Sequence, residues 1–196
     1  MYNHNMIYVL ANRKRTSGKK QKALNAVKNV FDRNGLDYEI IFTEKRGEAK
    51  ALTQKITSDG NQNVLVIMGG DGTLHDVING FCDFENNSVA VIPVGTGNDF
   101  AECAKIPKDP GKAAGLVING EARAIDYIQL SSGLRSLNAI GAGIDVDVLK
   151  RTYSGKSKGK SKYLKALISS LIHFKSCNFT VRYNGIEEKR FGLIAA

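Results

Sequence analysis

The chain has 196 residues, 42% of them hydrophobic and 24% charged, a composition that excludes disorder and allows a sizeable buried core. No apolar run approaches the roughly 20 residues of a membrane span, and Met6–Ala11 is too short, and lacks a basic lead, for a signal-peptide core. Residues 1–126 carry 16 Lys+Arg and 15 Asp+Glu while residues 127–196 carry 12 and 4, so nearly all of the net +9 lies in the last third and points that part toward an anionic partner.

In chain order, "MIYVLAN" (Met6–Asn12) reads as a buried strand. After a basic loop, Ala23, Leu24, Val27, Val30 and Phe31 recur at helical spacing up to Gly35. "DYEIIFT" is strand-like, "GEAKALTQKITSDG" a helix closing at Gly60, and "NVLVIM" (Asn63–Met68) a fully apolar strand. "TLHDVINGF" reads as a helix with Thr73 as N-cap and Asp76 three residues on, a capping-box pattern. "VAVIPV" is the next strand, and "DPGKAAGLVING" another helix. Strands alternating with helices predict an α/β fold over residues 1–125, a parallel sheet with helices on both faces. Then the regime changes. "AIDYIQL" and "RSLNAIGAG" look like neighbouring strands, "KSKYLKALISSLIHF" like a helix, and the last 19 residues like two strands joined at Asn184-Gly185. Residues 126–196 therefore read as the opening of an antiparallel β-domain. The apolar end "FGLIAA" is expected to need a strand partner, which suggests a chain incomplete at its C-terminus.

Two glycine segments mark the sheet edge. "GTGNDF" and "GAGIDV" lack the third small residue of a dinucleotide fingerprint, and "GKSKGKS" misses the phosphate-loop spacing by one residue. "GGDGT" is different: it follows a buried strand and opens a helix. Gly69, Gly70 and Gly72 let backbone N–H groups approach phosphate oxygens, and the helix dipole adds positive potential. The next strand ends in a second such loop, "PVGTGNDFA", where Asn98 and Asp99 sit at the start of a helix. Adjacent strands thus deliver two glycine loops to one edge. The acid between the glycines, Asp71, repels phosphate unless a cation intervenes.

"GGDGTLHDVING" followed by "PVGTGNDFAECAKIP" closely resembles the diacylglycerol kinase catalytic domain, in the branch of soluble bacterial lipid kinases related to sphingosine and ceramide kinases. Asn12 and Ser17-Gly18 resemble that family's first nucleotide loop, although its usual proline after the asparagine is Arg13 here. Asp126 stands where the family has an acid entering its second domain, and "NAIGAGIDVDVLK" resembles a further family segment through Asn138, Gly141, Gly143 and Asp145. The resemblance implies transfer of phosphate from ATP to a lipid hydroxyl such as that of diacylglycerol, between an α/β nucleotide domain (1–125) and a β-sandwich lipid domain begun by 126–196. It implies ATP contacts at Asn12, Gly69, Gly70, Gly72, Thr73, Gly95, Thr96, Gly97 and Asn98. Asp71 would act through Mg²⁺, indirectly through water, with Asp99 and Asp126 in a supporting catalytic network. The family's general-base glutamate, in a Gly-Glu-Leu-like segment, has no counterpart at Glu187 or Glu188, so a fragment is expected. The alternatives are an ATP-binding module without catalysis and a kinase of a soluble substrate like NAD.

The basic segment Arg151–Lys165 contains Arg151, Lys156, Lys158, Lys160 and Lys162 and no acid, and is expected to dock on anionic membrane. Leu164, Leu167, Ile168, Leu171 and Ile172 on the following helix read as a core stripe. No aromatic-rich stacking surface accompanies the charge, so nucleic acid is not an expected partner. Cys82, Cys103 and Cys177 are odd in number and unclustered, which favours a reducing compartment, so the expected location is cytoplasmic with peripheral membrane association. His75 reads as a helix-surface residue. Oligomeric state stays open, with a homodimer among the options.

Overall fold

The computed structural model describes residues 6–13, 18–45, 47–154, 160–173, 176–183, 185–192 and 194–195, with only the backbone described at 153–154, 160–166, 177, 183 and 194–195. The chain is an α/β protein that divides into two compact units, Met1–Asn138 and Ala139–Ala196.

The first unit is built on one parallel sheet of β1 (Met6–Asn12), β2 (Tyr38–Thr43), β3 (Asn63–Gly69) and β4 (Ser88–Pro93), in the order β2-β1-β3-β4. Its helices are α1 (Lys19–Arg33), α2 (Glu48–Thr57), α3 (Asp71–Gly80), α4 (Asp99–Cys103) and α5 (Pro110–Asn119). Strand β3 shows why the sheet is covered on both faces: every residue in it is buried. Val64, Val66 and Met68 point to one side, with Val9 and with Val27 and Phe31 of α1 and Ala114 of α5. Leu65 and Ile67 point to the other, with Leu10, Ile56 of α2, and Leu74 and Val77 of α3. This is the period-two alternation of a strand buried on both faces. Full burial of a side chain such as Phe31 contributes about 2–3 kcal/mol. Helix α1 ends at Gly35, whose φ of +64° suits glycine, and the Leu36 N–H donates to the Phe31 carbonyl at 3.1 Å.

The chain leaves β1 for β2, crosses back to β3, and continues outward to β4. Right-handed crossovers put α1 on one face and α2 and α3 on the other. The order therefore reverses between β1 and β3, and the carboxyl ends of those strands flank the crevice where α/β sheets bind ligands. Asn12 ends β1 there, and Gly69 ends β3.

A short antiparallel hairpin, β5 (Ile128–Gln129) with β6 (Arg135–Ser136), closes the first unit. It turns at Gly133, with φ +83°. The second unit contains β7 (Ala142–Gly143), α6 (Ile144–Ser154), α7 (Lys160–His173), β8 (Cys177–Tyr183), β9 (Ile186–Gly192) and β10 (Ile194–Ala195). Strands β8 and β9 form the expected hairpin with Gly185 at φ +78°; Asn184 lies outside the described residues.

The expectations for the cap of α3 and for the stripe on α7 need correction. Thr73 is not an N-cap. Helix α3 starts two residues earlier, with Gly70 extended at the cap position and no side-chain capping bond. The segment "IDVDVLK", given no element from the sequence, is the start of helix α6. The apolar end finds a partner, since Ile194–Ala195 pairs antiparallel with Ala142–Gly143. Of the stripe on α7, Ile168, Leu171 and Ile172 are exposed and not core, Leu167 is half-buried, and the side chain of Leu164 lies outside the described residues. Instead α7 presents buried Ser170 to α6, its hydroxyl donating to Asp147 Oδ2 at 2.8 Å.

Arg151 is also drawn into that contact. Its Nε lies 2.6 Å from Asp147 Oδ2, and its Nη1 donates to Ser169 Oγ at 3.1 Å. Lys156 and Lys158 lie outside the described residues. Lys160 and Lys162 lie on α7, where only the backbone is described. Among the described residues, no helix is long and apolar enough to cross a membrane.

Candidate active site

The ends of β3 and β4 are locked together before any side chain is considered. The Val94 N–H donates to the Gly69 carbonyl at 3.1 Å, the last rung of the pairing. Beyond it the backbones of Gly70 and Gly95 come into contact. A methyl carbon on Gly95 would lie 2.6 Å from the Gly70 Cα and 2.6 Å from Asn98 Oδ1. Such distances exclude any side chain without backbone movement. Gly69 is likewise constrained, since a methyl carbon there would lie 2.6 Å from both Cβ and Oγ1 of Thr73.

Asn98 holds the second loop in shape. It adopts a left-handed backbone (φ 65°, ψ 41°), which asparagine tolerates better than most residues. Its side-chain amide brackets Gly95: Oδ1 accepts from the Gly95 N–H at 3.0 Å, and Nδ2 donates to the Gly95 carbonyl at 3.2 Å.

Asp71 then joins the two loops. Its Oδ2 accepts the Asn98 N–H at 2.8 Å, and its Oδ1 accepts the Phe100 N–H at 3.2 Å. These amides belong to the start of α4, so Asp71 caps that helix from a neighbouring strand's loop. The Nδ2 of Asn138 donates to the same Oδ1 at 3.4 Å. Burial opposes ionisation of Asp71, but the backbone N–H groups of Phe100, Asp99 and Asn98 together outweigh it and hold the carboxyl below its usual range.

Asp99 sits on the other side of Gly97. A methyl carbon there would lie 3.0 Å from Asp71 Oδ2 and 3.3 Å from Asp99 Oδ1, so glycine keeps the space between the two acids open. Gly72, at the exposed second position of α3, contrasts with its neighbours. A methyl carbon there would meet nothing within 4 Å, and its φ is an ordinary one. Among the described residues its N–H makes no hydrogen bond. Intramolecular packing explains Gly69, Gly70, Gly95 and Gly97, but not Gly72.

The structure thus brings Gly69, Gly70, Asp71, Thr73, Gly95, Gly97, Asn98 and Asp99 into one cluster. Thr96 lies exposed in the same loop, and Asn12 lies at the same sheet edge, at the end of β1. Asp126 is exposed and has no hydrogen bond or ion pair among the described residues. Sequence reasoning did not assign Asn138 or the Phe100 amide to the site. Asn138 stood in a quoted glycine segment, but 67 residues separate it from Asp71 and no local periodicity joins them.

Residues 6–130 match the family described as the diacylglycerol kinase catalytic domain. The chain is 34% identical over 163 residues to a diacylglycerol kinase of Bacillus subtilis, covering 81% of this chain and 50% of the relative. It is 30% identical over 179 residues to a diacylglycerol kinase of Staphylococcus aureus, covering 87% of this chain and 55% of the relative. The crystal structure of a diacylglycerol kinase from Bacillus anthracis shares the fold, with a TM-score of 0.74 at 22% identity over 99% of this chain and 64% of that one. The chain spans about half the length of the curated relatives it matches.

The capping role of Asp71 has a pH signature. Its folded value lies below the ordinary 3.8, so its stabilisation is complete above that value and is lost as pH falls through the folded value. Asp71→Ala is expected to cost about 1–2 kcal/mol in urea unfolding near pH 6, with the difference from the parent shrinking toward strong acid.

Proposed function

The chain belongs to the diacylglycerol kinase catalytic domain family, and we propose that it serves Mg²⁺-dependent transfer of the γ-phosphoryl group of ATP to a hydroxyl of diacylglycerol or a related lipid alcohol. The observation that carries this reading is the fused pair of glycine loops at the carboxyl edge of the sheet. It combines the unhindered N–H of Gly72 at the positive end of α3 with a carboxylate held ionised beside it. The first is suited to a phosphate oxygen and the second to a cation that accompanies phosphate.

The residues fit Mg²⁺ as an indirectly held ion. Among the described residues no three His, Cys, Asp or Glu side chains gather as a metal cage. Magnesium retains several waters and takes one or two carboxylates plus substrate phosphates, so a full protein cage is not required. Asp71 accepts one N–H on Oδ2 and retains acceptor capacity there, facing the gap kept by Gly97 and bordered by Asp99. When bound, the ion would neutralise phosphate charge.

In this reading Gly72 and the start of α3 hold the phosphates, with Asn12, Thr73 and Thr96 as further nucleotide contacts. Asp71 and Asp99 hold the hydrated ion, and Asp126 belongs to the supporting acidic network. A new phosphorus–oxygen bond forms to the lipid hydroxyl as the β–γ bridge breaks, and the hydroxyl proton leaves to a base. Such transfer depends on positioning and charge neutralisation more than on covalent help. Residues 126–196 are proposed to begin the lipid-binding region.

Phosphate transfer from ATP to diacylglycerol in mixed micelles tests the reading. Assayed at the length of the matched relatives, the protein is expected to transfer phosphate, Asp71→Ala to lose roughly a hundredfold or more, and Gly72→Ala to lose about tenfold. Gly72→Ala should at the same time stabilise α3 by up to about 0.5–1 kcal/mol, because glycine disfavours helix. Phosphorylation of soluble acceptors alone would contradict the lipid assignment.

The lysines at 156, 158, 160 and 162 are proposed to meet anionic lipid, each contributing about 1 kcal/mol near a charged leaflet. Their joint replacement by Gln should weaken binding to phosphatidylserine-containing vesicles at least about tenfold. Unchanged vesicle binding would remove the membrane role.

A further inference from the structure

Helix α3 carries Asp71 at its first position and Asn79 near its end, and residues 135–138 span the distance between them. At the far end Arg135 is fastened to α3 by backbone and side chain together. Its N–H donates to Asn79 Oδ1 at 2.9 Å, and its carbonyl accepts from Asn79 Nδ2 at 2.9 Å. The Asn79 amide thus acts as a strand partner for Arg135. The guanidinium Nη1 donates to the carbonyls of Phe81 at 2.8 Å and Ile78 at 3.2 Å, at the helix end. The same guanidinium lies over the rings of Phe84 at 5.0 Å and Tyr127 at 5.6 Å, which stack on each other, and Phe84 stacks in turn on Phe81. Leu137 packs with the core cluster that contains Leu74 and Val77. Asn138 then reaches Asp71 Oδ1.

Arg135 and Ser136 are extended, and the chain bends at Leu137 and Asn138 before the asparagine side chain reaches Asp71. Fastening Arg135 near the end of α3 fixes the point from which that bend starts. A slip of one residue, about 3.3 Å, withdraws Asn138 from the carboxylate.

We propose that Arg135 is a positioning residue that sets the register of residues 135–138 along α3 and thereby places the Asn138 amide at Asp71. Its kinetic consequence rests on the kinase reading above, whereas the placement itself does not. Planarity is central to the role, because one guanidinium donates to two carbonyls and covers two rings, which a lysine ammonium cannot do.

Heteronuclear NMR on the full chain separates the two. In the parent, Asp71→Asn is expected to shift the Asn138 side-chain amide resonances. In Arg135→Gln that response should vanish, while the amides of β1 and β3 keep their positions. Should Arg135→Gln fail to fold, Arg135→Lys carries the same test. In lipid phosphorylation, Arg135→Gln should lower kcat about tenfold with a smaller change in the KM for ATP, and should add almost nothing in an Asn138→Ala background. An Asn138 amide that senses Asp71 equally well without Arg135 overturns the proposal, as do losses that multiply in the double variant. If the protein assayed at the length of the matched relatives phosphorylates no lipid, the kinase reading falls, and the NMR response alone decides the role of Arg135.

Discussion

Everything at the carboxyl edge of the sheet depends on one carboxylate accepting two amides from another strand's loop. Asp71 holds the N–H groups of Asn98 and Phe100, and the Gly70–Gly95 contact brings the loops close enough for it to do so. A side chain at either glycine would push the loops apart. Loss of the carboxylate would leave the start of a five-residue helix, α4, without its cap. The amides that bind Asp71 also keep it ionised. The contact that builds the site therefore also prepares its charge.

That arrangement answers the difficulty of an acid in a phosphate-type loop. Both oxygens of the carboxylate accept protein N–H groups, and Oδ2 also borders the gap maintained by Gly97. In the proposed function, phosphate binding falls to a different group, the N–H of Gly72, one residue further into α3. The two proposed roles fall on adjacent residues because Asp71 and Gly72 are the first and second positions of the helix and face different ways. The reversal of strand order between β1 and β3 then sets this helix end beside Asn12, at the point where parallel sheets open a crevice.

Much of the fold was legible because its signals are local. Buried strands such as Val64–Met68, the helical spacing of Leu24, Val27 and Phe31, and the hairpin glycine at 185 all declare themselves within a few residues. The paired glycine loops were legible for the same reason, and they carried the family resemblance. The failures have physical causes as well. Thr73 looked like a cap by residue type, but its side chain lies against Gly69, and the extended backbone of Gly70 allows the helix to begin at Asp71. No element is assigned from the sequence to "IDVDVLK", whose helix is held by the polar group of Asp147, Arg151 and Ser170. The contact of Asn138 with Asp71 and the docking of Arg135 on α3 join residues more than 50 positions apart, where no periodicity reports contact.

The central claim is that Asp71 binds the second glycine loop to the first, so that the two act as one site. Residue-resolved amide hydrogen exchange tests it most directly. Replacing Asp71 by Ala should speed exchange at the Asn98 and Phe100 amides by about tenfold or more, while the amides of β3 and β4 stay as slow as in the parent. Unchanged exchange at those two amides would contradict the account.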